Sequence, residues 1–109
     1  MAALPSPKGS PYAKEAHKIK NHIDEIINKM QKNQKFMPTR ENLDEIGEEL
    51  IDYINDHHSK IASHQSYLKA AIIDLTEVPQ MTPQMQHISF LTALQDASYK
   101  LKLFLGSIE

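Results

Sequence analysis

Residues 40–77 carry the longest periodic pattern of the chain, in the sequence RENLDEIGEELIDYINDHHSKIASHQSYLKAAIIDLTE. At about 100° of helical advance per residue, one side of this segment, the seam, collects Leu43, Ile46, Leu50, Tyr53, Ile54, His57, Ile61, His64, Leu68, Ala71, Ile72 and Leu75. The phase continues through Asn55–Ser59, although those residues are weak helix formers. The pattern therefore predicts one continuous helix about 57 Å long, with a break near 55–59 as the alternative.

Two shorter amphipathic segments flank this central one. The first runs from Tyr12 to about Lys35, and its single apolar face holds Tyr12, Ala16, Ile19, Ile23, Ile26, Ile27, Met30 and Met37. Pro38 ends it, and Thr39 is a suitable N-cap for the central segment. The last segment starts at Pro83, behind Thr82 as N-cap, and continues to about Leu105.

These segments define the predicted fold class, which is all-α. We expect an antiparallel helical bundle of three helices with a long central helix, and a four-helix bundle with a break near 55–59 is the alternative. Residues 12–109 form a single helical-bundle domain in this interpretation. Residues 1–11 contain three prolines and a glycine, and they are predicted to be a flexible tail.

Composition excludes several classes of protein. The 109 residues are enough for one domain, and the net charge is −2. The chain has no cysteine, which excludes a disulfide framework, a zinc–thiolate site and a thiol nucleophile. It has no apolar run long enough to span a membrane and no signal-peptide pattern. We expect a cytoplasmic protein, and delivery into another cell by a specialised secretion system is the alternative location.

The charges are divided unevenly along the chain. Residues 1–38 contain seven lysines and three acids, whereas residues 39–79 contain three bases and nine acids. The predicted antiparallel pairing of the first two helices places Lys18, Lys20, Lys29, Lys32 and Lys35 towards Asp44, Glu45, Glu48, Glu49 and Asp52. An acidic neighbour weakens the field of the lysines, and Arg40 is the single arginine. We therefore expect a solvated helix face, with no nucleic-acid and no membrane partner.

Neither metal chemistry nor catalysis is predicted. His57 and His64 are seven residues apart, about 10.5 Å along a helix, which is too far to share one metal ion. We expect both imidazoles to be hydrogen-bonded within the packing, and no cofactor. No serine lies in a nucleophile-elbow pattern, and the paired carboxylates lie on the exposed side of the central helix. The chain is therefore predicted not to be an enzyme.

One short motif supports a different function. The residues His57-His58-Ser59-Lys60 resemble the start of the His-x-x-Lys-Gly pattern of histidine phosphotransfer domains, which are four-helix bundles. Ile61 stands where that pattern has glycine. The resemblance implies phosphorylation of His57, with Lys60 balancing the phosphoryl charge. A histidine phosphotransfer-like bundle is thus the alternative function.

The last helix carries a second apolar stripe that suggests protein binding. Besides its main apolar face, the last helix has Met85, Ile88, Tyr99 and Leu103 on a separate side. In the central segment, Tyr67 and Ile73 lie off the seam. Three helices of unequal length would also leave apolar surface uncovered. We predict a non-enzymatic protein-binding module, acting as a regulator, inhibitor, adaptor or secretion chaperone through these six residues. The occupant is a protein partner, a second copy in a homodimer, or both.

Overall fold

The computed structural model describes residues 11–78 and 82–108, which form four α-helices. They are α1 (Pro11–Lys32), α2 (Arg40–Ile61), α3 (Gln65–Thr76) and α4 (Pro83–Ile108), with a 3-10 turn at Ala62–His64 between α2 and α3. The fold is all-α and compact, and the prediction of three helices was wrong. The four-helix alternative is confirmed. The predicted flexible tail lies outside the described residues except for Pro11, which begins α1.

The central helix, predicted to be continuous, is interrupted between His57 and His64. The backbone leaves helical dihedrals at His57 (φ −121°, ψ 21°), Ile61 (φ −118°, ψ 11°) and His64 (φ −120°, ψ 7°). These angles are near the sparsely populated bridge region, where a helix ends and a turn begins. The break thus starts within the 55–59 segment of the alternative prediction and continues beyond it.

Contacts between distant residues show that α3 folds back antiparallel to α2. The Arg40 guanidinium donates to the carbonyl oxygens of Thr76 (2.8 Å) and Val78 (3.0 Å). A Cβ at Gly47 would lie 3.0 Å from Cγ2 of Thr76. In a continuous helix Gly47 and Thr76 would be about 44 Å apart. Arg40 also neutralises the carbonyl end of α3, where the helix dipole favours a cation.

The sequence pattern did not reveal this reversal because the apolar phase survives it. His57 and His64 are seven positions apart, which is close to two helical turns. Residues before and after the break therefore keep the same angular phase. An uninterrupted seam is equally compatible with one rod and with two helices that both turn their apolar side to the same core.

The other helix ends largely follow the sequence. Thr39 Oγ1 accepts the N–H of Asn42 (3.1 Å), and Asn42 Oδ1 accepts the N–H of Thr39 (2.9 Å), which is a reciprocal N-cap of α2. The carbonyl oxygen of Thr82 accepts the N–H of Gln86 at the start of α4. α1 ends at Lys32, three residues earlier than predicted, and the Asn33 side chain accepts the N–H of Lys35 in the following turn.

The core lies on the common axis of the four helices. Its largest fully buried side chains are Tyr53, Phe104, Ile23, Met30, Leu43, Ile46, Leu50, Ile61, Leu68, Leu75, Leu94 and Leu101. Tyr53 donates its hydroxyl to the carbonyl oxygen of Tyr12 (2.6 Å) and packs edge-on against Phe104. Burial raises the pKa of Tyr53 above its ordinary value, with smaller contributions from Glu15 and Tyr12. Tyr53 therefore stays a neutral hydrogen-bond donor.

Polar contacts fasten α1 to its neighbours, but they are not the predicted lysine–carboxylate pairs. His57 Nε2 lies 3.1 Å from Glu15 Oε2, and His22 Nδ1 lies 3.1 Å from Glu49 Oε2. Lys20 pairs with Asp24 on its own helix at 2.8 Å. Asp24 also accepts the Ser98 hydroxyl of α4 at 2.5 Å. Within residues 11–78 and 82–108, histidine–carboxylate contacts thus join α1 to α2 where lysine–carboxylate contacts were expected.

Candidate functional site

The unequal lengths of α3 and α4 leave part of α4 without a helical neighbour on one side. α3 has 12 residues and α4 has 26, so they are about 18 Å and 39 Å long. Lys100 binds Asp74 near the C-terminal end of α3. α3 and α4 are antiparallel, and α3 ends close to the level of Lys100. The N-terminal half of α4 therefore extends beyond the end of α3.

Large exposed hydrophobic side chains concentrate on this side of the bundle. Ile88 is 64% exposed, Tyr99 59%, Met85 55%, Ile73 52% and Leu103 38%. The four residues on α4 fall within a sector about 60° wide at helical advance, and they span about 27 Å from Met85 to Leu103. We call Met85, Ile88, Tyr99, Leu103 and Ile73 the apolar face.

The apolar face contains five of the six residues that the sequence predicted for partner binding. The sixth, Tyr67, is partly buried against the core and does not belong to the face. Ile51 on α2 is a further large hydrophobic side chain that is exposed, 44% of its surface, and it lies outside the face. The structure therefore exposes the second stripe of α4 and turns its first stripe, which includes Phe90, Leu94, Leu101 and Phe104, into the core.

A groove runs between the C-terminal end of α3 and the first half of α4. It has a volume of about 480 Å³. Its apolar lining is Ile73, Val78, Ile88 and Ala93, and the polar lining is Asp74, Glu77, Ser89, Thr92 and Asp96. The groove joins the apolar face at Ile73 and Ile88, so the two form one continuous surface.

The groove is acidic, a property that the apolar stripes of the sequence do not indicate. The carboxylate of Asp74 is bound by the Lys100 ammonium group. The carboxylates of Glu77 and Asp96 contact no cation within the residues that the structure describes. Glu77 and Asp96 are separated by 19 positions in the sequence, and only the packing of α3 on α4 shows that they line one groove. Two uncompensated negative charges thus lie beside apolar side chains.

The histidine motif has a different environment from the apolar face. His57 is half-buried, with its ring 4.8 Å from that of Tyr53 and its Nε2 against Glu15. The Lys60 ammonium lies 5.8 Å from the Tyr12 ring centroid. A carboxylate next to Nε2 opposes the arrival of a phosphoryl group at that atom. His58 is exposed but has Ile61, not lysine, three residues later.

His64 is half-buried, and the described residues contain no group of three or more histidine or acidic side chains that could hold a metal ion. Among the same residues, no helix is long and apolar enough to cross a membrane. The chain matches no protein-family model, no curated protein and no solved structure.

Proposed function

We propose that this chain is a non-enzymatic protein-binding module and that the apolar face with its groove is the binding surface. The observation that carries the proposal is the presence of five large hydrophobic side chains, each at least 38% exposed, on one side of the bundle. A module of this kind acts by occupying a partner's surface, as a regulator, inhibitor, adaptor or secretion chaperone.

The reason for expecting a partner differs from the one that the sequence suggested. The reversal between α2 and α3 removes the overhang of a long central helix, and the seam residues are largely buried within the chain itself. The surface that needs covering lies instead on α4 and at the end of α3. α3 is too short to cover the N-terminal half of α4, which carries Met85 and Ile88. Tyr99 and Leu103 follow on the same side of α4, which faces away from the core.

The composition of the face suits a binding surface. Isolated exposed hydrophobic residues are common on proteins, but several on one side of a helix next to a groove indicate an interaction site. Tyrosine is enriched among the residues that dominate binding energy, since it buries a large area at a low cost in side-chain entropy. Ile88 and Tyr99 are the two most exposed members of the face. We expect them to contribute most to binding.

Affinity capture from the native host tests the proposal. The bait proteins are the wild type, Ile88→Gln, Tyr99→Gln and, as matched control, Ile51→Gln on α2. Each change replaces an exposed apolar side chain without adding charge, so we expect stability to change by no more than about 0.5 kcal/mol. Loss of a half-exposed anchor costs about 1–2 kcal/mol of binding, which weakens the complex about fivefold to thirtyfold.

A supporting result is a prey that the wild type and Ile51→Gln retain and that Ile88→Gln and Tyr99→Gln lose. The proposal is wrong if the captured proteins are the same for all four baits. Thermal unfolding of each bait, followed by circular dichroism, shows that a lost prey reflects the surface and not the fold.

A further inference from the structure

The charges on the apolar face are ordered along α4. Hydrophobic side chains lie at both ends, with Met85 and Ile88 at one end and Tyr99 and Leu103 at the other. Thr92 and Asp96 lie between them on the same side of the helix, at about 100° of advance per residue. Glu77, which directly follows α3, lines the groove beside this central part. The face therefore has apolar ends and an acidic centre.

The hydrophobic residues of the face are arranged symmetrically, as an interface between two copies of the chain requires. Met85 and Leu103 are equally far from residue 94, and Ile88 and Tyr99 are nearly so. In an antiparallel pair of α4 helices related by a twofold axis, Met85 would contact the partner's Leu103 and Ile88 would contact the partner's Tyr99.

The charges argue against that pair. The same symmetry places the Asp96 carboxylates of the two copies about 6 Å apart along the helix axes. Glu77 of each copy lies in the adjoining groove, so four carboxylates would gather near the twofold axis. None of them contacts a cation within the described ranges of the chain. Like charges that face each other across an interface oppose association, and they select against that partner.

An occupant with positive charge at its centre and hydrophobic residues at its ends matches both the acidic centre and the apolar ends of the face. We propose that the apolar face and its groove bind a basic amphipathic helix of another protein, with lysine or arginine residues placed against Glu77 and Asp96. The inference rests on the proposed function and adds the chemistry of the partner. The apolar ends of the face require hydrophobic residues near both ends of the partner helix. A span of about 27 Å corresponds to about 19 helical residues.

Selection from a display library of 20-residue amphipathic helical peptides tests this inference on the full chain. The library varies the charge of the central positions and keeps hydrophobic residues available at both ends. We expect the selected peptides to be enriched in central lysine and arginine. Their affinities are then measured by fluorescence anisotropy as a function of salt.

Two matched double variants test whether the charges of the face contribute to binding. The double variant Glu77→Gln/Asp96→Asn removes the central charges, and Asp52→Asn/Asp56→Asn removes two exposed charges from α2 as control. We expect the first to weaken binding about threefold to tenfold, as two solvated ion pairs do, and the control to have no effect. Binding to the wild type should also weaken between 50 mM and 500 mM salt as the charges are screened.

The outcomes distinguish this inference from the proposed function. The inference is overturned if the selected peptides lack central basic residues or bind Glu77→Gln/Asp96→Asn as tightly as the wild type. If Ile88→Gln nevertheless weakens those peptides, the proposed binding surface stands. If neither change matters, both fail, and if no peptide is selected, the inference fails while the proposed function is decided by the affinity capture. Sedimentation velocity of the protein alone tests for a homodimer. A dimer that dissociates in the Ile88→Gln variant overturns the inference, because the occupant of the face is then a second copy of the chain.

Discussion

The reversal between α2 and α3 can be tested with a single engineered disulfide. The chain contains no native cysteine, so Gly47→Cys/Thr76→Cys introduces the only two thiols. A Cβ at Gly47 would lie 3.0 Å from Cγ2 of Thr76, and the cysteine sulfur occupies the same γ position as that methyl group. The two sulfurs can therefore reach bonding distance with small adjustments. In a continuous rod they would be about 44 Å apart.

The expected magnitude follows from the size of the loop that the crosslink closes. A bond between positions 47 and 76 encloses about 30 residues. The loss of loop entropy in the unfolded chain corresponds to about 3.6 kcal/mol at 25 °C, before any strain in the folded state is subtracted. For a domain of this size, that free energy raises the melting temperature by about 15 °C.

The assay is oxidation in dilute solution, followed by non-reducing electrophoresis, mass spectrometry and thermal melts with and without reductant. Glu45→Cys/Thr76→Cys is the matched control, because residue 45 is exposed on α2. We expect rapid intramolecular oxidation of the 47/76 pair, slow oxidation of the control, and stabilisation only of the former. If the 47/76 pair oxidises no faster than the control pair, α3 does not fold back on α2. An oxidised 47/76 pair that melts no higher than its reduced form would refute the expected stabilisation.

Three further predictions concern polar contacts that hold the helices together. Arg40→Met removes two hydrogen bonds to the end of α3 and should lower the free energy of unfolding by about 1–2 kcal/mol, measured by urea denaturation with Lys32→Met as an exposed control. A double-mutant cycle of Asp24→Ala and Ser98→Ala should give a coupling energy of about 1 kcal/mol, and additive effects would show that the contact contributes nothing. Because its pKa is raised in the folded state, Tyr53 keeps its proton above pH 10 while the unfolded chain loses it. Stability should therefore fall as the pH rises above about 10, and Tyr53→Phe should fall less steeply in the same alkaline melts; equal slopes would refute the assignment.

The candidate site was predictable in its apolar part but not in its charged part. Met85, Ile88, Tyr99 and Leu103 stand out because a 3.6-residue period makes a second stripe visible in the sequence of α4. Whether that stripe is buried or exposed depends on which side of α4 packs against the other helices. Tyr67 shows the limit, since it lies off the seam like Ile73 but packs against the core. The acidic groove is a product of packing alone, because its carboxylates come from different helices.

The amino-acid sequence by itself determined that the chain is helical, where α4 and α2 begin, and which side of each helix is apolar. Those properties depend on neighbours within about four residues, such as the reciprocal cap of Thr39 and Asn42. Only the tertiary structure decided that four helices exist and that α3 turns back along α2. The physical reason is that an interruption close to two helical turns leaves the apolar phase unchanged, whereas the contacts of Arg40 and Gly47 with the end of α3 join residues 29 or more positions apart.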